Sequence, residues 1–181
     1  MTEATSNAKQ VFYLMIEFDQ DYGCFPNDDT AIDELAAYHG GTANDYLAQL
    51  IAGEYTTSEE IFYAKGGVKR GKKPDNVISG REHILAKGEC GFAYLKGYST
   101  SARTSTPILL TPMTGDGTKF DSDPHDGKAV VLRIDGAVKQ LRIDRETGQA
   151  IIAENVTLFQ SGKETAWEER EFVLTDLVFP K

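Results

Sequence analysis

Long apolar runs are missing from this sequence. Nothing approaches the roughly 18–20 residues a bilayer-crossing helix needs. No basic segment, apolar core and cleavage site open the chain as a secretory signal would. Cysteine is scarce, with only Cys24 and Cys90, too few for a disulfide scaffold and spaced unlike any zinc pattern. The two either form one disulfide in an oxidising compartment or stand as buried free thiols. His39, His83 and His125 lie in separate regions and give no local spacing for a catalytic metal. There is no glycine-rich phosphate loop, no G-x-S-x-G elbow and no His-Glu-x-x-His helix. Positive charge is also in deficit: 19 Lys and Arg against 28 Asp and Glu leave a net charge of -9. That balance excludes a nucleic-acid binder, which needs a basic face, and a protein that docks on anionic lipid. The run Lys69-Arg70-Gly71-Lys72-Lys73 is basic but has no interleaved aromatics, and reads as a solvated loop. The chain is expected not to be an enzyme.

What is present suffices for one domain spanning 1–181, with an ordinary apolar fraction of 40%. A helix is expected over about 5–22. Val11, Leu14, Met15 and Phe18 recur at three- and four-residue spacing and form its core face. Ser6 or Asn7 serves as cap, and Gly23 and Pro26 stop it. A second helix is expected over Asp29–Tyr38, a third over Asn44–Ala52, and a helical turn from Ser58. Together these make a helical region over 28–63. Residues 64–80 read as an exposed loop.

From Cys90 to the end, over 90–181, the texture becomes β. Runs at Phe92–Leu95, Ile108–Leu110, Ala150–Ala153 and Phe172–Phe179 are expected strands. Ala129–Ile134 and Ala137–Ile143, joined by Asp135-Gly136, read as a hairpin on a type I′ turn. Helices first and an antiparallel sheet after is an α+β order. Val130, Leu132 and Ile134 share one strand face.

Asp116, Asp121, Asp123 and Asp126 crowd a glycine-rich loop. They suit calcium in being hard oxygen donors, or form a solvated acidic turn; the spacing is not that of an EF-hand. Tyr94, Tyr98 and Trp167 would suit a sugar-binding face, or else belong to the core. Asn155-Val156-Thr157 fits a glycosylation sequon.

Two segments carry a resemblance. Val11-Phe12-Tyr13-Leu14-Met15-Ile16-Glu17-Phe18-Asp19-Gln20-Asp21-Tyr22-Gly23-Cys24-Phe25-Pro26 is similar to the end of the long helix in type II secretion pseudopilins. There phenylalanine, aspartate, tyrosine, glycine and proline follow in that order. The second, His125 through Asp135-Gly136, resembles the H-x9-DG segment of prepilin-type proteins. Asn44-Asp45-Tyr46-Leu47 through Glu60-Ile61-Phe62-Tyr63 also looks like the region after the helix in pilin-like secretion proteins. The resemblance covers about the first third of the chain and a window near residue 130.

It implies a pilin-like head: an N-terminal helix packed on an antiparallel sheet, with extra short helices after it, the Val130, Leu132 and Ile134 face meeting the helix and Val138 with a partner such as Leu141 continuing that core. It implies a structural subunit, a pseudopilin or minor pilin, of a type II secretion or type IV pilus-like filament. Such a subunit acts by assembly in the periplasm or at the cell surface. Its partners are other pilin or pseudopilin subunits and the assembly machinery. Its membrane contact runs only through an apolar half-helix preceding residue 1 in the full-length protein, which anchors it in the inner membrane before assembly. The isolated head is expected to be a monomer. His125 would fix its loop by a hydrogen bond. Calcium in a β-region loop would fall on the acidic stretch from Asp116 to Asp126, although the family's ligands do not map one by one. The competing expectation is a periplasmic or surface module for ligand binding or adhesion.

Overall fold

The computed structural model describes residues 1–67, 71–168 and 170–181. Helix α1 runs over Thr2–Tyr22 and ends at Gly23, whose φ of 77° is the left-handed cap that glycine adopts without strain. It starts at Thr2, earlier than expected, so Ser6 and Asn7 lie inside it and cap nothing. Asn7 is instead buried. Its side-chain amide donates to the carbonyls of Glu60 and Tyr63, at 3.0 and 2.9 Å. Those two bonds fasten α1 to the 3₁₀ turn Glu60–Phe62.

Helix α2 covers Ala43–Ala52, with Thr42 and Asp45 closing a reciprocal capping box. The helix expected over Asp29–Tyr38 is reduced to a 3₁₀ turn at Asp33–Leu35. Aspartates and a β-branched isoleucine favour turn over helix there. Around that turn the chain is held from outside. Gln49 donates to the carbonyls of Asn27 and Tyr38 and accepts from Thr30.

Among the described residues seven strands follow: β1 (Ala93–Leu95), β2 (Pro107–Thr111), β3 (Lys128–Arg133), β4 (Val138–Ile143), β5 (Ala150–Ala153), β6 (Val156–Thr157) and β7 (Leu177–Val178). They form one antiparallel sheet in the order β6-β5-β4-β3-β2-β1-β7. The fold is therefore α+β, an N-terminal helix with a curled antiparallel seven-stranded sheet. β7 is much shorter than the expected Phe172–Phe179, because the chain turns through a 3₁₀ segment at Leu174–Asp176 before reaching β1.

Both faces of the sheet are covered, and that explains the unbroken apolar run in β3. Val130 and Leu132, with Ile134 after them, join the core that includes Val11, Met15 and Phe18 of α1. Ala129 and Val131 point the other way, into a second core with Leu110, Phe120, Leu158 and Trp167. Side chains alternate faces along a strand, so a two-sided sheet needs apolar residues at every position. Two expectations are corrected by the same geometry. Leu14 is only half-buried and flanks the α1 face, whose buried stripe is completed by Ala4 and Ala8. Leu141 packs in the second core, not beside Val138, because an odd spacing puts the two on opposite faces.

The Asp135-Gly136 turn is also not of type I′. Only Gly136 has positive φ, at 75°. Gly136 N–H donates to Arg133 and Arg133 N–H to Ala137, so the loop closes on a single left-handed glycine. A Cβ at Gly136 would stand 2.5 Å from the Phe12 ring, so the helix presses on this turn and leaves room only for glycine.

Candidate functional site

The expected calcium loop does not gather its ligands. Asp116 pairs with Lys119 at 3.2 Å. Asp121 Oδ1 accepts from the Asp123 N–H at 3.0 Å, capping its own turn. Asp123 and Asp126 are exposed. Among the described residues, these four aspartates make no convergent group of three ligand atoms. Short acidic side chains on a wide loop satisfy themselves locally and point into water.

His125 is buried, 2% exposed, but its side chain fixes nothing: among the described residues neither ring nitrogen has a hydrogen-bond partner. The loop is held through its backbone, where Lys128 N–H donates to the His125 carbonyl at 3.1 Å. Burial, with the chain's amino terminus and Lys65 adding to it, keeps the imidazole below its ordinary pKa.

Cys24 and Cys90 are free thiols, which corrects the disulfide alternative. Cys90 is buried with Sγ toward the Phe92 carbonyl at 3.5 Å. Cys24 Sγ accepts from the Asn27 amide at 3.2 Å. Burial pushes the Cys90 thiol up to about 12, so it is no nucleophile.

Tyr94 and Trp167 are core residues on opposite faces of the sheet, and they do not form one surface with Tyr98. Tyr94 donates to the Pro26 carbonyl and Trp167 to that of Leu158. Asn155 is exposed with φ of 60° at the β5–β6 turn. His39 and His83 are exposed and, among the described residues, join no cluster of metal-ligand atoms. Lys69 and Arg70 of the basic run lie outside the described residues.

A different group of carboxylates does converge. Glu59, Asp75 and Glu89 bring ligand atoms within 4.8 Å of one another. Glu59 and Glu89 are fully buried and Asp75 is exposed at the rim. The three come from three segments between α2 and β1, and backbone bonds fix each. Glu59 Oε1 accepts from Leu85 N–H at 2.6 Å, and Glu59 N–H donates to Asn76 Oδ1 at 2.8 Å. Glu89 Oε2 accepts from Ala86 N–H at 2.8 Å. Asp75 Oδ1 accepts from Val77 N–H at 3.0 Å.

Each buried carboxylate thus spends one oxygen on the backbone. The second oxygens, Glu59 Oε2 and Glu89 Oε1, are buried and have no hydrogen bond among the described residues. Lys72 Nζ lies 3.0 Å from Glu89 Oε1 as an ion-pair partner, with its side chain more than half exposed. Burial first, then the charges of Glu89 and Asp75, raise the pKa of Glu59.

This lobe is wired into the rest of the molecule. Asn7 of α1 holds the 3₁₀ turn beside Glu59. Asn44 of α2 donates to the Leu85 and Ala86 carbonyls, and Gly88 N–H donates to the Lys181 carbonyl at 2.7 Å. Nearby, Asp45 is paired with both Arg81 and Lys181. Burial would raise its pKa, but hydrogen bonds from Thr42, Lys181 and Arg81 outweigh that and lower it.

Nothing in the sequence singled out the triad. Glu59 read as part of a helix start and Asp75 as a loop charge, and Glu89 followed no pattern. The separations are too long for a local motif, and only the folding of 58–91 closes them. Comparison of the chain with protein-family models, with curated proteins and with solved structures finds no match.

Proposed function

We propose that this chain is the head of a pilin-like filament subunit, a pseudopilin or minor pilin of a type II secretion or type IV pilus-like system. It works by assembly and performs no reaction. The observation that supports this reading is helix α1. One stripe of it lies on the antiparallel sheet through Val11, Met15 and Phe18, while Tyr13 on the outer side is 60% exposed. A helix clamped to its head along one face and bare along the other suits a filament in which helices line the core and heads line the outside. Contacts between such heads repeat without closing, as a helical array requires. No helix of the described residues is itself long and apolar enough to cross a membrane. On this reading anchorage belongs to an apolar half-helix continuous with α1, and the head sits in the periplasm or at the cell surface.

The test is the coding sequence upstream of residue 1. The expected result is a short basic leader, a prepilin-peptidase site and about 20 apolar residues in helical phase with Val11. A native start at Met1, or an ordinary secretory signal there, would overturn the reading. The module for ligand binding or adhesion then takes its place.

A further inference from the structure

We infer that Glu59, Glu89 and Asp75 form a binding site for a hard divalent cation, calcium by its tolerance of irregular oxygen sites, which clamps the segment between α2 and β1. The inference does not rest on the filament reading, since the site lies wholly within the head.

The donor set consists of oxygens only. His83 lies on the surface and the Cys90 sulfur is turned to the Phe92 carbonyl, so no soft donor reaches the cluster. That chemistry selects calcium, magnesium or manganese over zinc and copper. The three ligand atoms lie within 4.8 Å of one another, close enough for one ion to touch all of them, and calcium accepts oxygens in irregular arrangements. Magnesium needs shorter bonds and near-octahedral order.

The second observation is the state of the two remaining buried oxygens, Glu59 Oε2 and Glu89 Oε1. A buried acceptor left without a donor is costly, and two on neighbouring carboxylates repel as well. Lys72 answers only one of them, through an exposed and flexible side chain. Among the described residues Glu59 Oε2 has no partner. A cation between the two glutamates satisfies both oxygens, with Asp75 at the rim completing the protein ligands and leaving positions for water. The glutamates are already held rigid by Leu85 N–H and Ala86 N–H, so binding orders little beyond Asp75. The clamp joins the turn that Asn7 ties to α1, the segment that Asn44 ties to α2, and the loop that carries Asp75.

The test is thermal unfolding of the whole chain in EDTA and in calcium, with calorimetric titration of calcium, magnesium and manganese. Calcium at about 100 times Kd should raise the midpoint by roughly 5–10 °C. Glu59→Gln retains an acceptor for Leu85 N–H, so it should fold, remain at least as stable as wild type in EDTA, and lose the calcium shift. Glu89→Gln should lose it too. Lys72→Met should lower the midpoint in EDTA and bind calcium more tightly than wild type, because a competitor is gone. Asp121→Asn should keep the full shift. Absence of heat and of any midpoint shift in wild type up to ~10 mM calcium, above the range of weak extracellular sites, would overturn the inference. A shift surviving in both glutamine variants would do the same, as would one lost in Asp121→Asn.

Discussion

Two acidic regions of this molecule invite opposite readings. The stretch from Asp116 to Asp126 packs four aspartates into eleven positions, and in the fold they disperse. One pairs with a lysine, one caps a turn, and the remainder face water. Glu59, Asp75 and Glu89 are spread over thirty-one positions, and in the fold they converge, two of them with no solvent at all. Nearness along the chain measures charge density. Convergence with desolvation requires segments from elsewhere in the chain that cover the carboxylates, as the one carrying Leu85 covers Glu59. The second region has those segments and the first does not.

The comparison can be broken most severely at Gly91. A Cβ there would lie 2.2 Å from the Ala64 carbonyl oxygen and 2.4 Å from its nitrogen, both backbone atoms. Gly91→Ala should cost more than about 3 kcal/mol, in the range reserved for overpacked or strained positions. Chemical denaturation would measure it. A cost below 1 kcal/mol would mean that 58–67 does not pack against 88–92 as described.

Next in size is Glu59→Ala. It strips the acceptor from the buried Leu85 N–H, a loss of about 1–3 kcal/mol, whereas Glu59→Gln keeps that bond. Equal stability of the two variants would show that the bond carries no weight. Asn7→Ala should cost about 1–2 kcal/mol, since the Tyr63 carbonyl loses its donor and α1 its tie to the 3₁₀ turn. Amide exchange should then quicken in 59–63 before it does in the sheet.

A pH comparison sharpens the contrast without removing a bond. The folded-state pKa of Glu59 is raised, chiefly by burial. An acid of that kind ionises more easily unfolded than folded. It therefore costs nothing below the unfolded value of about 4.3, and costs progressively more as pH rises through the folded value. In EDTA, wild type should lose stability relative to Glu59→Gln over that window. A constant gap between the two across it would show that Glu59 is not desolvated.

The smallest effect belongs to the acidic loop. Asp116→Asn and Asp121→Asn should each stay within about 0.5 kcal/mol of wild type, as for other exposed positions. A cost above 1 kcal/mol for either would show that the loop does more than solvate itself.

Some features of the fold were legible because short-range chemistry decides them. The 3.6-residue stripe of Val11, Met15 and Phe18 and the stop at Gly23 set α1. The β-rich runs around Asp135-Gly136 set the β3–β4 hairpin, and glycine was required there, though for one left-handed position and not for a type I′ pair. Periodicity also placed Val130, Leu132 and Ile134 on one face of β3, and in the fold that face meets the helix. It did not show that the opposite face is buried, because the segment carrying Trp167 comes from more than thirty residues further on. Where a segment's own preference was weak, as at 29–38, side chains of α2 imposed the outcome.

By itself the sequence determined the class α+β, the register of its long helix and its central hairpin, and the deficit of positive charge. These follow from spacing and composition, which act over a few residues. The tertiary structure alone decided that the two cysteines stay apart, that His125 is buried with no side-chain partner among the described residues, and that the aspartates disperse while Glu59, Asp75 and Glu89 meet. Burial and convergence depend on contacts between segments dozens of residues apart, and a desolvated carboxylate pair exists only once those segments have packed around it.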